Sequence, residues 1–506
     1  MNTEEIDKNL GSGMDNVRSL MYPIVRQRKT DHYLQPNWAS ANVPEGFTLA
    51  AVGDVIMTEA VLARMERISP DVLKVLRDAE VTFGNFESTA IDLQKFGGYP
   101  EALAGGAWLL SSVRVPGELK AMGFDLMGRA NNHTTDWGVA GMRYTDALLD
   151  EAGIVHAGTG ETLAQARSAA ILSTSSGRVS LVSIASRYEE NARAIDPLGQ
   201  IPGRPGLNSL RTTRYTLVSP ERFAQLAAIR DSQPPGSVRK SVLTSDAKTD
   251  TVTLFGMKYR ASSDVNCELA FSFEMDDRDR KEIIRAIRQA KQTTDFAIVT
   301  MHTHEPGNYS DTPPDFLEML AREAIDNGAD AFVGHGPHQL RGIEIYRGKP
   351  IFYSLGNFFF TDNTWQPLVR DEWEKDKVDP TSMTEAEFTE MRRVEGVFGE
   401  RIWFESVVAS SVYNEAGVLR QIRLYPIELH WEGARDADRG IPRTAPPHIA
   451  DAILKRLRLL SQPYGTAIAI DDGVGTIDID AALADITLWQ NEPAIAGIQD
   501  VVTEGH

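Results

Sequence analysis

Short apolar runs that stop at Gly, Asp, Asn or His recur along the chain, and they predict buried strands whose carboxyl ends carry polar loops. The most informative stretch is DAFVGHGPHQLRGIEIYRGKPIFYSLGNFFF, from Asp330 to Phe360. Its two apolar runs, AFV and IFYSL, each end at polar residues that a buried strand does not explain. His335 and His338 follow the first run, among Gly334, Gly336 and Pro337. Glycine and proline let a backbone turn sharply, so both imidazoles can face one point. Ser354-Leu355-Gly356-Asn357 follows the second run. In open α/β sheets such loops gather at the carboxyl ends of strands, where ligands bind.

The same rhythm runs through the chain. FTLAAVGD reads as a buried strand ending in Gly53-Asp54, followed by helical MTEAVLARMERI and amphipathic PDVLKVLRDAE. VTFGNFEST is a strand that reaches Asn85, Phe86 and Glu87. GELKAMG predicts a helix, FDLMG a short strand, RANNHTTDWG a polar loop, and GMRYTDALLDEAG a helix stopped by Gly153. IVHAG, AAILS and VSLVSIAS predict further strands. From Arg187 to about Asp264 the periodicity fades, with RPGLNSLRTTRY as a loop and PERFAQLAAIRD as a helix. RDRKEIIRAIRQAKQ is an amphipathic helix feeding the strand DFAIVTMH, and DFLEMLAREAIDNGAD is a helix stopped by Gly328. FESVVASSVYNEAGVLRQIRLYPIEL predicts an antiparallel pair turning at Asn414-Glu415-Ala416-Gly417. Strand–helix alternation followed by late hairpins argues for a single α/β sandwich with sheets packed between helices. An N-terminal arm (1–45) and an acidic C-terminal extension (461–506) flank a body spanning 46–460. A charged helical insertion at 362–400 is placed to cap the site or meet a partner.

Composition narrows the partners. The 506 residues carry a formal net charge of −19, which opposes non-specific binding to nucleic acid or an anionic membrane. A local basic pocket for an anionic small molecule or peptide, and a homo-oligomer, remain compatible with that charge. The single cysteine, Cys267, excludes a disulfide framework and a cysteine-rich zinc site. The N-terminal residues hold no apolar run like a secretory signal, and no stretch reaches transmembrane length. The expectation is a cytoplasmic protein without membrane partners.

Five polar clusters follow apolar runs: Gly53-Asp54, Asn85/Glu87, Asn131-Asn132-His133, His302/His304/Glu305 and His335/His338. Singly each has an ordinary reading, such as a helix cap for Asp54 or a turn for Asn132. Together, carboxylate, amide and imidazole suit zinc, manganese or iron(II), as one or two divalent ions, and a shared carboxylate suits a pair.

These residues carry a resemblance. GDVIM at 53–57, GNFES at 84–88, ANNHTTDWG at 130–138, the strand end at 302–305, GRPGLNSLR at 203–211 and GHGPHQLRGIEIYRGKPIFYSLGNF at 334–358 resemble the CapA family, named for poly-γ-glutamate capsule biosynthesis, within the calcineurin-like metallophosphoesterase superfamily. The resemblance implies a four-layer α/β/β/α metallophosphoesterase-like sandwich, here with the helical insertion and C-terminal extension. It implies metal ligation by Asp54, Glu87, Asn132, His302, His335 and His338, with Glu87 as the bridging carboxylate. It makes His133 a general acid or base, and Asp136 the residue that holds its ring, a helix cap being the alternative.

Three departures stand out. Asp54-Val55-Ile56 lacks the histidine of the superfamily's first Asp-x-His. Gly336 stands where many relatives have a further histidine. HTHE replaces HWGxE, so either His302 or His304 is the ligand, with His302 favoured because it ends the strand. His304 is also a candidate proton carrier.

Arg129, Arg204, Arg211 and Arg341 are candidates for holding a substrate carboxylate or phosphate, with Arg204 and Arg211 preferred, and Asn357 is expected to line the site. The reading that follows is a metal-dependent hydrolase of an amide or ester in an anionic, peptide-like or γ-glutamyl substrate. Alternatives are a phosphodiesterase or phosphomonoesterase, a metal-dependent epimerase, and a non-enzymatic subunit of polymer synthesis.

Overall fold

The computed structural model describes residues 40–479 apart from 102–106, 234–249, 268, 362–366, 397–398 and 432–435. Most of the expected N-terminal arm and residues 480–506 of the expected extension therefore lie outside the described residues.

The chain first lays down parallel strands: β1 (Thr48–Ile56), β2 (Val81–Phe86), β3 (Leu126–Gly128) and β4 (Val155–Ala157). It then builds a second sheet from β5 (Ala170–Thr174), β6 (Gly177–Ala185), β7 (Phe296–His302), β8 (Ala331–His335), β9 (Ile343–Tyr346) and β10 (Lys349–Phe352), in the order β9-β10-β8-β7-β6-β5. It returns to the first sheet with β11 (Asn357–Phe360), parallel to β1, and with β12 (Glu405–Tyr413) and β13 (Leu419–Glu428). A last hairpin, β14 (Ala469–Asp471) and β15 (Val474–Asp478), closes that sheet's edge.

Alternation along the strands separates the faces. Leu49, Ala51, Phe83 and Leu126 of the first sheet meet Leu181, Ile298, Val333 and Phe352 of the second in one buried core. On the first sheet's other face, Val52 and Val55 pack with Leu73 and Leu76 of α1 (Pro70–Asp78) and Leu119 and Met122 of α2 (Val115–Met122). On the second sheet's outer face, Val182, Ile184, Val299 and Met301 pack with Ile283 and Ile287 of α4 (Asp277–Thr293) and Phe316 and Leu320 of α5 (Asp315–Asp326). α3 (Gly138–Ala152) lies on the first sheet's side, with Leu149 in its outer core. The architecture is the expected α/β/β/α sandwich. Each fully buried Leu, Ile or Phe contributes about 1.5–3 kcal/mol to it. α6 (Pro447–Ser461) inserts Ile449, Ile453, Leu454 and Leu457 into the core between the sheets.

Three features differ from expectation. Thr212–Val218, Thr251–Leu254, Met257–Ala261 and Ala270–Met275 form a four-stranded sheet, where the sequence shows fading periodicity to about Asp264 and a loop over RPGLNSLRTTRY. MKYRA alternates apolar and charged residues but leaves both sets at least partly exposed, and Arg260 stacks on Tyr215 at 3.8 Å. The helix expected over MTEAVLARMERI is confined to Leu62–Ile68. The body also runs past 460, because β14 and β15 belong to the first sheet.

The insertion is two helices, Arg370–Lys375 and Glu385–Glu395. Trp373 and Phe388 stack at 4.1 Å and are buried, so the pair is packed and not simply a solvated face. Among the described residues no helix is long and apolar enough to cross a membrane.

Candidate metal centre

Both sheets deliver polar residues to one place. Asp54 lies near the end of β1, Glu87 follows β2, Asn131 to His133 follow β3, His302 ends β7, His335 ends β8 and Asn357 opens β11. Strand register aligns them: Asp54 pairs with Asn85 on one side and Asn357 on the other, and His302 pairs with His335. The ladder shifts register around Asp54, a bulge of the kind that re-aims side chains beside functional sites. Gly53 is required there. A Cβ on it would sit 1.8 Å from the Gly356 carbonyl oxygen, which instead accepts a hydrogen bond from Asp54 N at 2.9 Å.

Asp54 is fully buried and oriented on both oxygens. Asn85 Nδ2 donates to Oδ1 at 2.8 Å, and Gly336 N donates to Oδ2 at 3.0 Å. Gly336 has φ 114°, and a Cβ there would meet the Thr303 carbonyl oxygen at 2.7 Å. At this position the backbone supplies a donor to Asp54. His338 adopts φ 59°, a conformation rare outside glycine, and places Nδ1 2.9 Å from Asn357 Oδ1 and 3.6 Å from Asp54 Oδ2. Asn357 is itself oriented by donating to the Trp403 carbonyl at 3.0 Å.

Glu87 is the centre of the cluster. It is fully buried, and among the described residues neither carboxylate oxygen has a hydrogen-bond donor. His302 Nε2 lies 3.5 Å and His133 Nε2 3.9 Å from its Oε1. His304 Nε2 lies 3.0 Å from His302 Nε2 and 3.2 Å from Asn132 Oδ1, while its Nδ1 meets Asn308 Oδ1 at 2.7 Å. A ring nitrogen bound to an outer acceptor leaves the other nitrogen to face a cation, the usual arrangement for a ligating histidine.

Potential ligand atoms form three close groups: Asp54, Glu87 and His338; Glu87, His302 and His304; and Asp54, His302 and His335. Glu87 is common to the first two. His302 and His304 both enter the second group. Asn132 presents its carbonyl oxygen to the second group through His304, and its Nδ2 has no partner.

The electrostatics call for a cation. Burial pushes the Asp54 and Glu87 carboxyls up, Glu87 well above its usual range, with the Asp54 charge adding to the effect on Glu87. Burial likewise disfavours charge on the imidazoles: His302 and His304 lie well below their ordinary value, His335 falls to about 3, and His338 is lowered. Neutral imidazoles, and a Glu87 carboxyl group without donors, suit the ligands of a divalent ion. The oxygen and nitrogen donor set, without sulfur, fits such an ion.

His133 is held separately. Its Nδ1 lies 2.6 Å from Asp136 Oδ2, which also accepts from Leu109 N at 2.8 Å. Asp136 is therefore the orienting residue and not a helix cap: α3 begins at Gly138, and its N-cap residue is Trp137.

The four arginine candidates are engaged in the fold. Arg211 binds Asp276 and Asp279 at the start of α4, and Arg204 donates to the carbonyls of Arg193 and Glu190. Neither guanidinium contacts the cluster, which corrects the expected substrate-binding pair. Arg341 is buried on the carbonyls of Glu305 and Ser310. Arg129 is buried as well. Its NH1 donates to the carbonyls of Phe86 and Ser88, the two residues flanking Glu87, while its Nε binds Asp146. It positions the Glu87 loop and is closed to substrate. Asn357 reaches the cluster by holding His338. Thr300 and Asn308, which orient His335 and His304, gave no sequence signal, since neither lies in a patterned motif.

The family described as Bacterial capsule synthesis protein PGA_cap matches residues 48–362. The chain is similar to the uncharacterized protein y4uA of Sinorhizobium fredii (strain NBRC 101917 / NGR234), with 45% identity over 448 residues, covering 87% of this chain and 94% of that protein. It is also similar to capsule biosynthesis protein CapA of Bacillus anthracis, with 25% identity over 326 residues, covering 63% of this chain and 61% of that protein. Among solved structures, a novel phosphatase from Mycoplasma pneumoniae aligns over 76% of this chain and 94% of its own, at 9% identity and a TM-score of 0.33. The family match spans every cluster residue from Asp54 to Asn357, and the chain belongs to the bacterial capsule synthesis protein PGA_cap family.

Proposed function

We propose that this chain is a metal-dependent hydrolase that cleaves an amide or ester bond in an anionic, peptide-like or γ-glutamyl substrate. The observation that carries the reading is the Glu87 carboxylate, buried without a donor between two groups of potential ligands. Asp54, Glu87 and His338 would hold one divalent ion, and Glu87, Asn132, His302 and His304 a second. Such an ion, when bound, supplies Lewis acidity and lowers the pKa of water at the site.

The protein residues do the rest. Gly336 N and Asn85 keep the Asp54 oxygens aimed inward, and Arg129 keeps the Glu87 loop from moving. Asp136 Oδ2 takes the proton side of His133 Nδ1, so Nε2 faces the Glu87 side of the site. From that atom His133 would take a proton from the attacking water and pass it to the leaving group. His335, grouped with Asp54 and His302, would serve the same centre, its Nδ1 lying 3.6 Å from Asp54 Oδ1 and 3.0 Å from His302 Nδ1.

The test is to incubate metal-reconstituted protein with phosphoesters, γ-glutamyl amides, peptides and lactones in heavy-oxygen water and to read the products by mass spectrometry. Heavy oxygen in a product carboxylate is the expected result. Heavy oxygen in phosphate would replace this reading with a phosphoesterase, and label in neither would remove hydrolysis of these classes.

A further inference from the structure

An anionic substrate needs a cation that the fold has not already used. The arginines around the centre are largely committed. Arg129, Arg204 and Arg341 bind backbone carbonyls, and Arg193, Arg211 and Arg214 face Glu190, Asp276 with Asp279, and Glu305. Arg187 is different. β6 ends at Ala185, the register partner of His302, and Ser186 N donates to the His302 carbonyl at 3.1 Å. The chain therefore leaves the second sheet directly beside the His302–His304 turn. Arg187 is the next residue, it is exposed, and among the described residues no carboxylate or carbonyl pairs with its guanidinium. The Ser186 hydroxyl beside it is enclosed without a hydrogen-bond partner.

We infer that Arg187, with the Ser186 hydroxyl, is a specificity-determining pair that binds an oxyanion of the substrate, carboxylate or phosphate, at the His304 side of the centre. Calling that ligand a substrate rests on the hydrolase reading above. The binding claim does not. A guanidinium presents paired N–H donors that match such a group in one plane. In a chain of net charge −19, an unpaired cation beside the centre also draws anions to the one place where they are useful.

The test is calorimetric titration of the full-length, manganese-loaded protein with inorganic phosphate, with N-acetyl-γ-glutamylglutamate and with the uncharged, fully amidated form of that acetylated dipeptide. Arg187→Ala is expected to weaken binding of the preferred anion about 10–100-fold, the loss of one charge-assisted contact, and to leave the uncharged form unchanged. Arg187→Lys keeps the charge and loses the fork, so it falls between. Ser186→Ala is expected to add a smaller loss of the same selectivity. Stronger binding of phosphate or of the dipeptide identifies which oxyanion is taken. Binding of both anions by Arg187→Ala within about twofold of the native protein overturns the inference, as does native protein that takes neither. Arg187-dependent binding without heavy-oxygen incorporation keeps this inference and removes the hydrolase reading.

Discussion

Thr300 Oγ1 lies 2.6 Å from His335 Nε2, and the same hydroxyl reaches the Val333 carbonyl oxygen at 2.8 Å. A hydroxyl has one proton, and a carbonyl can only accept it. Thr300 therefore donates to Val333 and accepts from His335 Nε2–H. That fixes the tautomer and leaves His335 Nδ1 bare, 3.6 Å from Asp54 Oδ1 and 3.0 Å from His302 Nδ1.

Thr300→Val keeps the shape and removes the acceptor. Affinity for manganese or zinc is expected to fall about 10–100-fold, the usual cost of losing an outer partner of a metal-site histidine. Calorimetric titration checks this, with circular dichroism to confirm that the fold is kept. Unchanged affinity would show that the orientation of His335 does not matter to the centre.

Glu87→Gln separates stability from function. Burying a carboxylate without donors is costly, so the metal-free variant is expected to melt higher than the metal-free native protein. Metal should then add nothing to it, whereas native protein at metal concentrations about 100 times the dissociation constant gains roughly 2.7 kcal/mol. Thermal melts with and without metal measure both effects. A variant stabilised by metal as much as the native protein would show that Glu87 is not a ligand.

His133→Gln is expected to lower turnover about 10²–10⁴-fold while metal content stays at the native level. Asp136→Asn should move turnover in the same direction, because an amide no longer fixes the ring with Nδ1–H directed at it. Full turnover in His133→Gln, measured with whichever substrate the heavy-oxygen panel identifies, would remove the proton-transfer role.

Acid stability has a separate source. Burial alone would push the Asp279 carboxyl up, but hydrogen bonds from Arg211 and Arg167 outweigh it and hold the group below its ordinary value. The folded protein then binds this proton less readily than the unfolded chain. The stability it contributes is complete above the ordinary Asp value of about 3.9 and is lost as pH falls through the lower folded value. Urea unfolding across that range should show Asp279→Asn less stable than native near neutrality, with the gap closing below about pH 4. A gap that stays constant would mean that the Arg167–Asp279–Arg211 contact does not depend on that charge.

The sandwich and most of the polar cluster are legible in the sequence because each candidate ligand lies at or near the end of a buried strand. VTFGNF and FAIVTMH are apolar on both faces, so their polar ends stand out. The small sheet within 212–275 is hidden by the opposite property, since its strands are short and only partly buried. Arginines mislead for a related reason. Sequence shows where Arg204 and Arg211 lie along a motif, but not that backbone carbonyls and the Asp276–Asp279 turn already satisfy them. The roles of Thr300 and Asn308 depend on rings that come from other parts of the chain or from the far side of a loop. Gly336 could be noted as a departure, yet its donation to Asp54, 282 positions away, appears only in the fold.

The most direct measurement is metal content by plasma mass spectrometry on native and Glu87→Ala protein, each loaded with manganese or zinc and then desalted. The account predicts one or two ions per native chain and their loss from the variant. Native protein that retains none, or a variant that retains as many as native, would contradict it.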